Sequence, residues 1–138
     1  MIRKVFIDSD IILDVATGRE PFAPYSKPVL SLVENGYAIG VVSSNSVTNI
    51  YYVLRKLSSS DKARDFLKTL LRYVSVVPVD HGATVQALES KFYDFEDGVQ
   101  HFCAVKNQCD LIVTRNIKHY MMAEVEVLEP REFIALYK

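Results

Sequence analysis

Five short apolar runs, rich in β-branched residues, recur along the chain at positions 2–7, 38–42, 74–79, 111–113 and 125–128. Runs without polar residues at alternate positions are strands covered on both faces. Between them the apolar residues recur at helical spacing. Val47, Ile50, Tyr51 and Leu54 fall at i, i+3, i+4 and i+7, one face of an amphipathic helix. Val29, Leu30, Leu32 and Val33 predict a helix ended by Asn35-Gly36. Phe66, Leu67, Leu70 and Leu71 predict one opened by Asp61. Val99, Phe102 and Cys103 predict one opened by Asp94, and Phe133, Ile134 and Tyr137 one opened by Pro130. Strands and helices in this order predict a parallel sheet with helices on both faces, a three-layer α/β/α domain. Residues 18–28 hold one glycine and three prolines and are expected to form a loop.

No repeat, low-complexity tract or linker divides the chain, and its 138 residues suit a single domain spanning 1–138. Hydrophobic residues at 49% and charged residues at 24% give a core that needs no disulfide or structural metal. The cysteines, Cys103 and Cys109, are six apart and fit no C-x-x-C pair, so reduced, buried thiols are expected. A net charge of −1 provides no global field to gather nucleic acid. Such contact must come from a local patch or from metal ions. Arg55, Lys56, Lys62, Arg64, Lys68 and Arg72 form one basic cluster, a phosphate-tracking edge or a solvated face. The first apolar run meets Asp8 too soon for a signal peptide, which needs about 7–15 apolar residues. No segment approaches the roughly 18 apolar residues of a membrane span. A soluble, cytoplasmic protein without membrane contact is expected.

Ligand sites in open parallel sheets lie beyond the carboxyl ends of the strands. Asp8-Ser9-Asp10 follows the first run. Ser43-Ser44-Asn45 follows the second, with Asn49 one turn into the next helix. Thr114-Arg115-Asn116 follows the fourth, and Asp94-Phe95-Glu96-Asp97 opens the helix before it. At one sheet edge, Asp8, Asp94 and Asp97 bring carboxylates together, and Asn49 and Asn116 add amide oxygens. An all-oxygen set suits Mg²⁺ or Mn²⁺. Without a cation the carboxylates repel and one pKa rises. Such an ion can activate water and neutralise phosphate charge during in-line attack. Three histidines with no H-x-x-x-H pair argue against a zinc hydrolase, and no phosphate-binding glycine motif occurs.

Three segments resemble the PIN-domain family. FIDSDIILDVATGREPF resembles its opening, NSVTNIYYVLRK its second motif, and DFEDGVQHFCAVKNQCDLIVTRNIKHY its third and fourth. Order and spacing match over nearly the whole chain. The resemblance implies a PIN-like fold and cleavage of single-stranded RNA with Mg²⁺ or Mn²⁺. It often implies the toxin of a VapBC-type toxin–antitoxin pair, so RNA and an antitoxin protein are the expected partners. It carries the family's metal-binding positions onto Asp8, Asn49, Asp97 and Asn116, with Asp94 an extra acid common in the similar subgroup. Asn49 stands where the family usually has Glu, although that subgroup also shows Asn. His119 stands where Asp is common. Both departures lower the site's charge.

The expected catalytic residues are therefore Asp8, Asp97, Asn116 and Asn49, and the expected metal ligands are Asp8, Asp97, Asp94 and Asn116. Ser44, Thr114 and Arg115 are expected at the scissile phosphate or holding the acids in place. Ordinary structural roles compete. Asp94 and Asp97 suit a helix N-cap and its capping-box acid, and Asp10 a cap of the first helix. Asp14 suits solvent or pairing with a base, Glu96 a solvated first turn, and His81 and His119 the surface. The runner-up function is a PIN-like RNA- or protein-binding module with a weakened metal site. A flavodoxin-like phosphate-binding domain stands third. Tyr51, Tyr52, Leu57 and Phe66 exceed what one small sheet face needs and predict a twofold homodimer.

Overall fold

The structure, a computed structural model, describes residues 2–138. β1 (Lys4–Ile7) leads into α1 (Ser9–Thr17) and α2 (Ala23–Glu34), followed by β2 (Ile39–Ser43), α3 (Ser44–Leu57) and α4 (Ser60–Leu70). Then come β3 (Val74–Val77), α5 (His81–Glu89), α6 (Phe95–Lys106) and β4 (Leu111–Val113). A 3₁₀ turn (Ile117–Tyr120), β5 (Glu126–Leu128) and α7 (Pro130–Ala135) complete the chain. The strands form one sheet in the order β3-β2-β1-β4-β5, with every pairing parallel.

Successive residues of β1 serve opposite faces. Val5 and Ile7 pack with Val29, Ile50, Leu67 and Phe133, while Phe6 packs with Val41, Cys103, Ile112 and Tyr120. All three β1 residues are fully buried. That is why the run shows no polar alternation. The expected α/β/α layering is the one that forms.

Polar residues just after the strands and turns start the helices. Asp8, Ser43, Ser59, Asp80 and Asp94 each accept a backbone N–H two or three residues on, capping α1, α3, α4, α5 and α6. Asp10 therefore does not cap the first helix, because Asp8 already holds its N–H at 2.9 Å. Residues 18–28 form a loop only as far as Phe22, since α2 begins at Ala23 and runs through Pro28. Pro24 lies in the first turn, where a missing N–H leaves no bond unmade. Pro28 removes a bond in mid-helix, and burial of Val29, Leu30 and Val33 outweighs that loss.

β1 lies at the centre, flanked by β2 and β4. The chain winds outward from β1 through β2 to β3, then returns to the other side of β1 as β4. The reversal opens a crevice at the carboxyl ends of β1 and β4, the usual place for a site in such sheets. No helix among the described residues is long and apolar enough to cross a membrane.

Candidate active site

Asp8 enters this crevice directly from β1. Its N–H donates to the Val113 carbonyl at 3.0 Å, extending the β1–β4 ladder by one rung. The side chain is almost wholly buried. Oδ1 accepts from the Asp10 N–H, and Oδ2 accepts from Thr114 Oγ1 at 2.9 Å and from the Tyr120 hydroxyl at 3.0 Å. Burial raises its pKa, as does the Asp10 charge, and the three hydrogen bonds oppose the rise.

Asp97 comes from the first turn of α6, where its N–H donates to Asp94 Oδ1 at 3.0 Å. Its Oδ1 lies 3.4 Å from the Tyr120 hydroxyl, and its Oδ2 lies 3.1 Å from His119 Nδ1. Tyr120 thus stands between the Asp8 and Asp97 carboxylates. Burial, then the charges of Asp8 and Asp94, push Asp97 up to about 7, with His119 pulling the other way.

Glu96 is not a solvated first-turn acid. It is half-buried and accepts from Ser9 Oγ at 3.3 Å and from the Asn49 amide. Burial raises its pKa against the Ser9 hydrogen bond, and the charges of Asp8, Asp94 and Asp10 add to the rise. Gln100, one turn further along α6, organises the rest. Its Oε1 accepts from the Ser9 N–H at 3.1 Å and from Ser46 Oγ at 3.2 Å, and its Nε2 donates to the Tyr120 hydroxyl at 2.8 Å. This chain of hydrogen bonds ties α1, α3, α6 and the 3₁₀ turn to Asp8.

Of the residues expected from sequence, Asp8, Asp97 and Thr114 meet in this network. Asn49 joins it through Glu96, and Asn116 borders it by donating its amide to Asp10 Oδ2 at 3.0 Å. Asp94 is exposed, caps α6, and acts on Asp97 through its charge. Ser44 lies outside the network, with Oγ accepting from the Val79 N–H at 3.4 Å. Arg115 turns away, its Nε donating to Asp14 Oδ2 at 2.7 Å. Asp14 is buried there, paired with a base. His119 does not merely coat the surface, since it reaches Asp97. His101 is buried beside Phe92 and Phe102, and its Nε2 accepts from the Glu124 N–H at 2.8 Å. Burial lowers its pKa. Cys103 and Cys109 are free and buried, and burial pushes both thiols up to about 11.

Sequence reasoning missed Ser9, Glu96, Gln100 and Tyr120. Gln100 emerges only from the structure, where every residue from Asp97 to Ala104 is buried and the polar members of that stretch need protein partners.

Among the described residues, no group of three or more His, Cys, Asp or Glu side chains is placed to hold a metal ion. An open site of one or two carboxylates is what Mg²⁺ uses, because it keeps several of its waters. The pKa values of Asp8, Glu96 and Asp97 are raised first by burial and then by neighbouring carboxylate charge, so a cation beside them would favour their ionised forms. Among the described residues His119 is the one base within ion-pair reach of them. An oxygen-rich, electron-rich cleft of this kind fits a hard divalent cation.

A PIN-domain family model matches residues 4–118, and the chain belongs to the PIN-domain family. Ribonuclease VapC1 of Aquifex aeolicus (strain VF5) is 31% identical over 136 residues, covering 94% of this chain and 92% of that protein. The fold is similar to that of VapBC2 from Rickettsia felis bound to a DNA fragment from its promoter. The TM-score is 0.73 at 14% identity, covering 91% of this chain and 98% of that one. A toxin–antitoxin complex from Klebsiella pneumoniae has a TM-score of 0.69 at 16% identity, covering 91% and 97%. VapC20 of Mycobacterium tuberculosis, a sarcin-ricin loop cleaving toxin, has a TM-score of 0.63 at 16% identity, covering 78% and 86%.

Proposed function

We propose that this chain is a divalent-metal-dependent endoribonuclease that cleaves single-stranded RNA in the cytoplasm, as the toxin of a toxin–antitoxin pair. The observation that carries the reading is the pair of buried carboxylates, Asp8 and Asp97, facing one tyrosine hydroxyl at the carboxyl edge of the sheet. The likeness to a curated ribonuclease and to solved toxin–antitoxin complexes supports it.

Asp8 and Asp97 would hold Mg²⁺ or Mn²⁺, with Asp94 and Asn116 at the edge of the shell. When bound, such a cation supplies Lewis acidity and positive charge against the phosphate. Thr114 and Tyr120 fix the Asp8 carboxylate by hydrogen bonds, so its orientation is set before substrate arrives. Asn49 holds Glu96 close to Ser9, which keeps a third carboxylate facing the cleft. Ser44 stands at the start of α3, where a neighbouring RNA phosphate can meet its hydroxyl.

The test is cleavage of single-stranded RNA with Mn²⁺ and with excess chelator, for the wild type and for Asp97→Asn. Metal-dependent cleavage that Asp97→Asn abolishes is expected. Cleavage in chelator, or undiminished by the substitution, would falsify the assignment. Two contacts favour the runner-up reading of a binding module with a weakened site. Asn49 donates to Glu96 where an acid is usual, and His119 already partners Asp97. Calorimetry separates the readings, because a binding module titrates no Mn²⁺ yet still retains its partner. Co-purification with the product of a small gene directly upstream tests the toxin–antitoxin part.

A further inference from the structure

A cavity of about 340 Å³ opens beside the acidic crevice, between the beginnings of α2 and α7. Arg115 lines it and lies in the chain between Thr114 and Asn116, so the cavity starts one residue step from the acid network. Its chemistry is the reverse of the crevice. Arg115 lies 4.0 Å over the ring centroid of Phe22, and Arg131 lies 4.1 Å over that of Tyr25. Arg19 approaches Phe22 at 5.6 Å. Asp14 neutralises Arg115, whereas Arg19 and Arg131 have no carboxylate partner among the described residues. Ser26 also lines the cavity, is 1% exposed, and has a hydroxyl with no hydrogen-bond partner. Buried polar groups are rarely left so. One carboxylate, Glu129, is present to accept hydroxyl or amino donors.

We propose that this cavity is a nucleotide subsite, taking one unstacked base and its phosphate from single-stranded RNA beside the cleavage point. The proposal rests on the ribonuclease reading above. Aromatic rings and guanidinium planes are the surfaces on which unpaired bases stack. Arg131 in the cavity wall, with Arg19 over the Phe22 ring that lines it, supplies the phosphate charge that the acidic crevice itself repels. Ser26 and Glu129 offer a hydroxyl and an acceptor to base or ribose groups. The volume lies at the low end of the roughly 300–1,000 Å³ of small-ligand sites, so it takes one base rather than a stack. A base paired in a duplex cannot enter. An acidic peptide would satisfy the arginines but leave the ring faces unused.

The test uses a fluorescein-labelled mixed-sequence heptaribonucleotide in excess chelator, so that binding is read without cleavage. Tyr25→Leu and Arg131→Gln are each expected to weaken binding by about tenfold, the scale of one lost base stack. Uridine monophosphate should shift the backbone amide resonance of Ser26 in the wild-type protein. If Tyr25→Leu fails to fold, the exposed Arg131→Gln and the Ser26 shift carry the test. Wild-type affinity in both variants, with cleavage intact, overturns the subsite and leaves the ribonuclease reading standing. Absence of both RNA binding and cleavage in the wild type overturns both. A heptaglutamate peptide that shifts Ser26 where the nucleotide does not overturns the subsite in favour of a protein partner.

Discussion

With its pKa lifted to about 7, first by burial and then by the charges of Asp8 and Asp94, Asp97 keeps a proton until near neutrality. In the unfolded chain an aspartate loses that proton near about 3.9. Between these values the folded state binds more protons than the unfolded one. Stability of the metal-free protein should therefore fall as pH rises from about 4 to about 7, by a few kcal/mol in all. Thermal melts across this range, in chelator, check the direction. Asp97→Asn should flatten the slope and raise the melting temperature at the alkaline end. A slope unchanged in that variant would sink the assignment. Asn49 gives a second prediction at this scale. Its amide donates to Glu96, so Asn49→Asp exchanges an attraction for a repulsion. The metal-free variant should lose about 1–3 kcal/mol, while Mn²⁺ should bind it more tightly through the added charge. Unchanged Mn²⁺ affinity by calorimetry, with the fold intact, would mean that position 49 does not reach the metal.

At the scale of elements, α2 packs closely against β2. A Cβ on Gly40 would lie 2.7 Å from Val33 Cγ1 and 3.0 Å from Ile7 Cδ1, both in the core. Gly40→Ala should thus cost about 1–3 kcal/mol by overpacking, seen as a lower denaturation midpoint with an unchanged slope. A neutral outcome would show that α2 can shift outward. The central strands were legible because burial on both faces writes an apolar run, whereas the edge strands β3 and β5 are partly exposed and carry Ser75 and Glu126 within the run. The run at 111–113 matches β4 residue for residue, the run at 38–42 begins one residue before β2 and stops one short of it, and the other three overshoot at one end. The start of α2 was not legible. Pro21, Pro24 and Pro28 signal a loop locally, and only packing of Val29, Leu30 and Val33 on the sheet overrides them. Asp8 and Asp97 were legible because a motif holds them just past a strand and just inside a helix. Tyr120 was not, because its hydroxyl reaches Asp8 across 112 positions of sequence. Such a contact exists only once β1 and the 3₁₀ turn are assembled.

For the whole molecule, the remaining question is how the outer faces of α3 and α4 behave in water. Of the four side chains that pointed to a dimer, two are used internally. Tyr51 and Phe66 pack against the core, and Tyr51 bonds the Ser60 hydroxyl at 2.9 Å. Tyr52 and Leu57 stay exposed, joined by Val53 and by Leu71 just beyond α4. Contiguous exposed apolar side chains of this sort favour self-association, and a twofold axis would bring the same patch together from each copy. Arg55, Lys56, Arg64 and Lys68 on the same two helices are all exposed, and Arg64 and Lys68 line one hollow with Tyr52 and Leu71. Two copies meeting there bring like charges together, a repulsion that salt screens over about 10 Å at 0.1 M. A homodimer through this face should therefore strengthen with ionic strength, opposite to an interface built on ion pairs. Sedimentation velocity at micromolar concentration, from low to high salt, should show the dimer fraction rising. Leu57→Lys should return the protein to a monomer without changing its melting temperature, because the side chain makes little contact within its own chain. A wild type that stays monomeric at every salt concentration, or a dimer indifferent to Leu57→Lys, would remove this surface from consideration.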